Sequence, residues 1–185
     1  MTQDSGTRHI VAVGGGGFGQ EPGGPRLIDY ILSLTSKPQP RICYLPTASA
    51  DSDAGIVHFY RQLGADRCIP SDLPLFHRGP ESPRDVLLRQ DVIWVGGGNT
   101  ANLLAIWRVH GVDRALREAW EQGIILVASG LPAGYALDDG VGLHFVGGDP
   151  AEIIAESPTA RAYRVERAGD TVVETPIEPR YLGPE

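Results

Sequence analysis

The run Asp91-Val92-Ile93-Trp94-Val95-Gly96-Gly97-Gly98-Asn99-Thr100-Ala101-Asn102-Leu103-Leu104 decides the fold. Valine, isoleucine and tryptophan in an unbroken apolar run, bounded by a charge and by glycine, read as a strand buried on both faces, as in parallel sheets flanked by helices. Gly96, Gly97 and Gly98 permit positive φ and close backbone approach, and Asn99 or Thr100 can cap a helix whose apolar positions are Leu103, Leu104, Ile106 and Trp107. Free amides at such a helix start favour a carboxylate, a phosphate or an oxyanion. A tight turn that binds nothing would have the same sequence, so both readings stand.

Working outward, His9–Val13 reads as a strand that enters another glycine turn, the first in the chain, Gly14-Gly15-Gly16-Gly17-Phe18-Gly19. Gly14, Gly16 and Gly19 formally satisfy the dinucleotide spacing, but the context argues against a nucleotide. Gln20-Glu21-Pro22-Gly23-Gly24-Pro25 separates the last glycine from the next helix, and the second strand, Arg41 to Leu45, ends in Pro46-Thr47 with no acid for a ribose hydroxyl. A helix beginning near Pro25 buries Leu27, Ile28, Ile31, Leu32 and Leu34. The polar loop 46–53 is expected on the ligand side, followed by a helix over Ala54 to Leu63 with Ile56, Val57, Phe59, Tyr60 and Leu63 inward. Arg67 to Ile69 is a third strand with a short extension at Leu73 to Phe76; a helix opens at Ser82-Pro83, and another covers Val112 to Gln122 before the apolar strand Ile124 to Ala128.

Strands alternating with helices predict a three-layer α/β domain with a mostly parallel sheet and right-handed crossovers. After Ser129 come short strands at Tyr135–Leu137, Val141–Val146, Ile153–Ala155, Ala162–Arg167 and Thr171–Glu174, joined by Asp-Asp-Gly, Gly-Gly-Asp and Ala-Gly-Asp turns. An antiparallel C-terminal edge is expected. At 185 residues, with no composition shift, the chain is read as one domain over 1–185.

The net charge of -7 argues against nucleic acid or an anionic membrane as partner. No apolar run is long enough to span a bilayer and no apolar signal region precedes the first strand, so a cytoplasmic location is expected. Cys43 and Cys68 sit in apolar runs, as small buried hydrophobes do. The histidines His9, His58, His77, His110 and His144 are dispersed, and neither a metal site nor a cofactor is readable.

Five segments in one order carry a resemblance: Val-Ala-Val-Gly-Gly-Gly-Gly-Phe at 11–18, Tyr-Leu-Pro-Thr-Ala-Ser at 44–49, Val-Gly-Gly-Gly-Asn-Thr-Ala-Asn-Leu-Leu at 95–104, Leu-Arg-Glu-Ala-Trp-Glu-Gln-Gly at 116–123 and Asp-Asp-Gly-Val-Gly-Leu-His-Phe at 138–145. Together they resemble the dipeptidase E, or alpha-aspartyl dipeptidase, family of serine peptidases, whose fold is similar to class I glutamine amidotransferases. The resemblance implies a short-peptide hydrolase in which the turn matching Gly96 to Asn99 helps form the oxyanion hole. Gly97, Gly98 and Asn99, with Gly16 of the first turn, are the candidate substrate and oxyanion groups.

The family places its serine after the strand matching Ile124 to Ala128, in a Gly-x-Ser-Ala-Gly elbow followed by a helix. Here the text is Val127-Ala128-Ser129-Gly130-Leu131-Pro132-Ala133-Gly134, running directly into what resembles a late family strand. Several dozen residues are missing relative to the family pattern, including the elbow helix and the segment carrying the catalytic histidine. A serine needs an exposed hydroxyl, an imidazole to take its proton and amides to meet the oxyanion. Ser129 is the candidate nucleophile, His144 the candidate base and Asp139 the candidate acid that orients it, although Asp138-Asp139-Gly140 is also a hairpin turn and His144 lies within a strand motif.

Two functions follow from different classes. In one, Ser129 hydrolyses a short peptide, for which the resemblance implies an N-terminal aspartate, with a base from His144 or a partner chain; Arg26, Arg78 and Arg108 are the nearest cations for such a substrate by loop position. In the other, favoured for this chain, a degenerate relative binds a small anionic ligand or partner without turnover. Loss of the elbow helix is expected to expose apolar surface between the strands beginning at Ile93 and Ile124, and so to weaken the fold or promote a homodimer.

Overall fold

Five strands run parallel: β1 (His9–Val13), β2 (Arg41–Leu45), β3 (Ile69–Asp72), β4 (Val92–Val95) and β5 (Ile125–Ser129). The computed structural model describes residues 7–15, 26–77, 79–129, 134–168 and 171–183, with backbone alone at Ser129, Arg167, Ala168 and Val172. β6 (Tyr135–Leu137), β7 (Val141–Val146), β8 (Asp149–Ala155), β9 (Ala162–Ala168), β10 (Thr171–Ile177) and β11 (Arg180–Tyr181) complete the strands. The main sheet has the order β11-β8-β7-β1-β5-β4-β2-β3, and β10-β9-β6 form a second, three-stranded sheet. β7 lies antiparallel to β1 and β8 antiparallel to β7, so an antiparallel edge closes the parallel sheet as expected.

Helices α1 (Arg26–Ser33) and α2 (Asp53–Gln62) cover one face, where Leu27, Ile28, Ile31 and Phe59 pack with Val11, Val13, Ile42, Tyr44, Trp94 and Val127. α3 (Pro83–Leu87), α4 (Thr100–His110) and α5 (Val112–Glu121) cover the other, where Leu87, Leu103, Trp107 and Leu116 meet Cys43, Leu45, Ile93 and Val95. The alternation follows from the period of two along each strand: Trp94 and Ile93, neighbours in sequence, are both fully buried but in different layers. Tyr44 and Phe59 stack with ring centroids 5.0 Å apart. Burial pushes the Cys43 thiol up to about 12, which leaves it an inert core side chain, and both cysteines are free.

Two expectations needed correction. Val57 and Tyr60 of α2 point outward, 47% and 40% exposed, because the inward stripe runs through Ile56, Phe59 and Leu63 at helical spacing. The third strand is Ile69–Asp72 rather than 67–69, paired from Arg41–Ile69 to Tyr44–Asp72, and 73–76 form no strand. Its text, Ile-Pro-Ser-Asp, hides an edge strand whose proline and polar side chains are tolerated at an open edge. The loop after β2 is partly buried: Thr47 is fully buried and Ala48 and Asp51 nearly so, with a 3-10 turn over Thr47–Ser49, while Ser49, Ala50 and Asp53 are exposed. Ile93 and Ile124 are themselves covered by the helices, and the half-buried apolar row of that face runs from Leu126 and Ala128, on the strand that Ile124 precedes, to Ile10 and Phe145.

The carboxyl edge of β1 is fixed by a backbone contact that only glycine allows. Gly14 N–H donates to Val141 O at 2.8 Å, and a Cβ on Gly14 would stand 2.2 Å from the carbonyl oxygen of Asp138 and 2.7 Å from that of Leu137. Both obstacles are backbone, so Gly14→Ala should destabilise the fold by about 1–3 kcal/mol. Urea unfolding checks this; an unchanged midpoint would mean that the β1–β7 edge yields.

Candidate active site

The carboxyl ends of β1, β5 and β4 gather most of the candidate residues. Val13 pairs with Ser129 and Val95 with Ala128, so the Ser129 backbone lies level with Val13 on one side and one step past Val95, beside Gly96, on the other. Strands of one sheet are about 4.8 Å apart, so the backbone of Ser129 is a neighbour of both glycine turns.

In the turn after β4, Gly96 and Gly98 are each required for a different reason. A Cβ on Gly96 would stand 2.4 Å from the Tyr44 hydroxyl, and one on Gly98, where φ is +143°, would stand 2.3 Å from the Ala48 carbonyl oxygen. Asn99 is committed twice: its N–H donates to Ala48 O at 2.8 Å, and its side-chain oxygen accepts from Asn102 N at 2.9 Å, capping α4. The Gly96 N–H donates to Leu45 O at 3.0 Å. Gly97 and Gly98 are exposed, and their N–H groups form no hydrogen bond with another described residue. Of the candidate oxyanion donors, these two backbone amides keep the capacity; the Asn99 N–H does not. Gly16 lies outside the described residues.

Asp139 is exposed in the turn between β6 and β7, and its carboxylate packs over Gly15, whose φ is +68°. Asp138 accepts from the Arg161 N–H at 2.8 Å. The Asp138–Asp139 turn therefore braces the first glycine turn, and it sits at the same end of the sheet as Ser129.

His144 is not brought to Ser129. It pairs with Val11, two positions inside the level of Val13 and Ser129, and β1 lies between β7 and β5. Two residues along a strand and two strands across amount to about 7 Å and 10 Å. Its ring is 5% exposed. Both ring nitrogens are occupied: Nε2 by His9 Nδ1 at 2.8 Å and Nδ1 by the Tyr30 hydroxyl at 2.6 Å. The Tyr30 hydroxyl in turn donates to Glu152, which also accepts from the Arg180 guanidinium at 2.8 and 3.1 Å. Burial first, and His9 next, hold the His144 imidazole below its ordinary value, and burial does the same for His9. Burial opposes ionisation of Glu152, but the Tyr30 and Arg180 hydrogen bonds outweigh it and keep the carboxyl below its usual range.

The other histidines lie elsewhere: His58 in α2, His77 after the edge strand β3, His110 at the far end of α4. Only five residues separate Ser129 at the end of β5 from Tyr135 at the start of β6, fewer than two helical turns. Gly130 to Ala133 lie outside the described residues. Arg26 bonds the Tyr181 hydroxyl at 2.9 Å, Arg108 is in the last turn of α4, and Arg78 lies outside the described residues. Among the described residues no group of three or more His, Cys, Asp or Glu side chains is placed to hold a metal ion, and no helix is long and apolar enough to cross a membrane.

The sequence model described as Peptidase family S51 matches residues 10–137, well over half of the chain. The chain belongs to this family, the dipeptidase E family. It is 34% identical over 229 positions to the "Uncharacterized peptidase YgaJ" of Bacillus subtilis (strain 168), an alignment covering 95% of this chain and 100% of that protein. At least 44 of those positions have no counterpart in 185 residues. Two solved structures share the fold. A peptidase from an acI-B1 Actinobacterium superposes with a TM-score of 0.66 at 12% identity, over 94% of this chain and 98% of that one. A putative peptidase E from Listeria monocytogenes EGD-e gives 0.52 at 17% identity, over 69% of this chain and 60% of that one.

Residue-by-residue reading of the S51 chain missed three side chains that the structure brings together with His144: His9, Tyr30 and Glu152. It also missed Asp51, 8% exposed with φ at +56°, whose carboxylate accepts from Phe76 N at 2.6 Å. An aspartate in the Thr47–Asp53 stretch was the only available signal. Asn99→Ala should lower stability by about 1 kcal/mol through the lost cap, and Asn99→Asp should retain it; thermal melts of both check this assignment.

Proposed function

We propose that this S51 chain keeps the substrate-facing end of a short-peptide serine hydrolase but turns substrate over at or near the background rate. The observation that carries this reading is the five-residue connection from Ser129 to Tyr135, which leaves no length for an elbow helix behind the serine. His144, the candidate base, adds to it, since both of its ring nitrogens are engaged and it stands two positions inside Ser129. The positions of YgaJ without counterpart here fit the same picture. What remains is recognition: the exposed amides of Gly97 and Gly98, at the start of α4, favour the carboxylate of a short peptide or another small anion. Of the candidate cations for an N-terminal aspartate that the structure describes, Arg26 is committed to Tyr181 and Arg108 lies in the last turn of α4, so neither supports that preference.

Removing the nucleophile or the base of an assembled triad costs about six powers of ten in turnover. Hydrolysis of an aspartyl p-nitroanilide and of its alanyl counterpart, at high protein concentration, by the intact chain and by Ser129→Ala tests the proposal. Equal rates in both proteins are expected. A rate that falls tenfold or more in Ser129→Ala would show that Ser129 finds a base, and would overturn it.

A further inference from the structure

His9 and His144, 135 residues apart, bring two ring nitrogens together: Nδ1 of His9 stands 2.8 Å from Nε2 of His144. His9 pairs with Val146 and His144 with Val11, so both rings project from one face of the β1–β7 ladder.

The hydrogen bonds around His144 settle which of its nitrogens is bare. Tyr30 has one proton and gives it to the Glu152 carboxylate, which Tyr30 and the Arg180 guanidinium keep ionised. The Tyr30 oxygen therefore accepts from His144 Nδ1–H, and a neutral His144 carries its lone pair on Nε2, directed at His9. An imidazole that gives one N–H to an anchored oxygen and presents its other nitrogen bare has the arrangement of a metal-ligating histidine, whose outer partner fixes tautomer and ring orientation. Here the outer partner is Tyr30, backed by Glu152 and Arg180.

His9 Nδ1 can meet that lone pair in two ways. With a proton on Nδ1 it donates a hydrogen bond; with the proton on Nε2 instead, two lone pairs face each other and only a cation between them makes the contact favourable. The exchange balances: Nδ1 releases a proton to water and Nε2 takes one up, so the metal replaces the shared proton and the ring stays neutral. A cation held by both nitrogens at about 2.0–2.1 Å in a tetrahedral site sets them about 3.3 Å apart, so the pair has about 0.5 Å to open. Tilting one ring achieves this while the centroids stay near their present 5.0 Å. That ring is His9, half-buried at the rim of the hollow lined by Thr7, Thr35, Lys37 and Asp91, whereas His144 is 5% exposed and held by Tyr30.

We propose that His9 and His144 form a two-histidine binding site for a late first-row divalent cation such as zinc, with water from the hollow completing its coordination. Imidazole nitrogen selects zinc, nickel and copper over magnesium and calcium, which take oxygen. Among the described residues no group of three or more His, Cys, Asp or Glu side chains gathers there, so binding is reversible and weaker than in a closed structural site. The nearby cationic side chains are already engaged: Arg180 by Glu152, Lys37 by Asp91, and Arg8 over the Trp120 ring. His9 opens β1 and Val13 closes it, about 13 Å further on, so the metal lies at the opposite end of the strand from the glycine turns and plays no part at Ser129. Its effect is to cross-link β1 to β7, and a cation that binds only the folded chain stabilises it in proportion to the logarithm of its concentration.

Calorimetric titration of zinc chloride into the intact, untagged chain near pH 7.5 tests the site. One zinc per chain is expected, and His9→Gln, which removes a ligand, should weaken it by at least about tenfold, the loss that even an outer partner causes. Absence of one-to-one binding, or equal affinity in His9→Gln, would overturn the proposal. NMR of the unmodified chain locates the ion without relying on a variant that folds. The imidazole signals of His9 and His144 should shift together as zinc is added; shifts confined to His58, His77 or His110 would refute the site.

Discussion

β1 is hydrogen-bonded along both edges, parallel to β5 and antiparallel to β7, and the register of those two ladders places every group of interest. Parallel pairing of Val13 with Ser129 brings the backbone of the serine to the two glycine turns. Antiparallel pairing of Val11 with His144 carries the imidazole inward, onto the face covered by α1. A slip of one residue between β1 and β7 would turn His144 to the opposite face, away from Tyr30 and Glu152. The same edge admits no side chain at Gly14, so the register is locked by sterics as well as by the ladder.

That placement gives His144 one role and denies it another. A general base for Ser129 needs a free ring nitrogen within hydrogen-bond reach of the hydroxyl. Here one nitrogen gives its proton to Tyr30, the other accepts from His9, and β1 stands between β7 and the strand that ends in Ser129. The imidazole that could have served catalysis serves the attachment of α1. The glycine turn is less altered: Gly96 and Gly98 are required by Tyr44 and by the Ala48 carbonyl, Asn99 caps α4, and the amides of Gly97 and Gly98 remain outward. The glycine turn and the helix it opens are thus intact, while the one described histidine on β7 is committed to the sheet and α1.

The alternating architecture was legible because each buried strand carries an unbroken apolar run and each helix a start signal; β1, β2 and α4 with its Asn99 cap fall where their residues place them. What was hidden was hidden for physical reasons. β3 is polar because it is an edge, β11 is too short to leave a pattern, and the separation of β6, β9 and β10 into a second sheet depends on pairing across distant segments. The dispersed histidines concealed a contact, since nothing local in His9 or His144 reports that β1 and β7 are neighbours. In the candidate site, the glycine turns were readable from residue types and the break after Ser129 from the family resemblance, whereas the fate of His144 required its partners Tyr30 and Glu152.

The central claim is that Ser129 has no activating base. A fluorophosphonate reacts covalently with an activated serine and leaves an unactivated one untouched, so intact-mass measurement after incubation with such a reagent in excess reads the claim directly. The account predicts the unmodified mass for the intact chain and for Ser129→Ala alike. A single adduct on the intact chain that Ser129→Ala abolishes would contradict it.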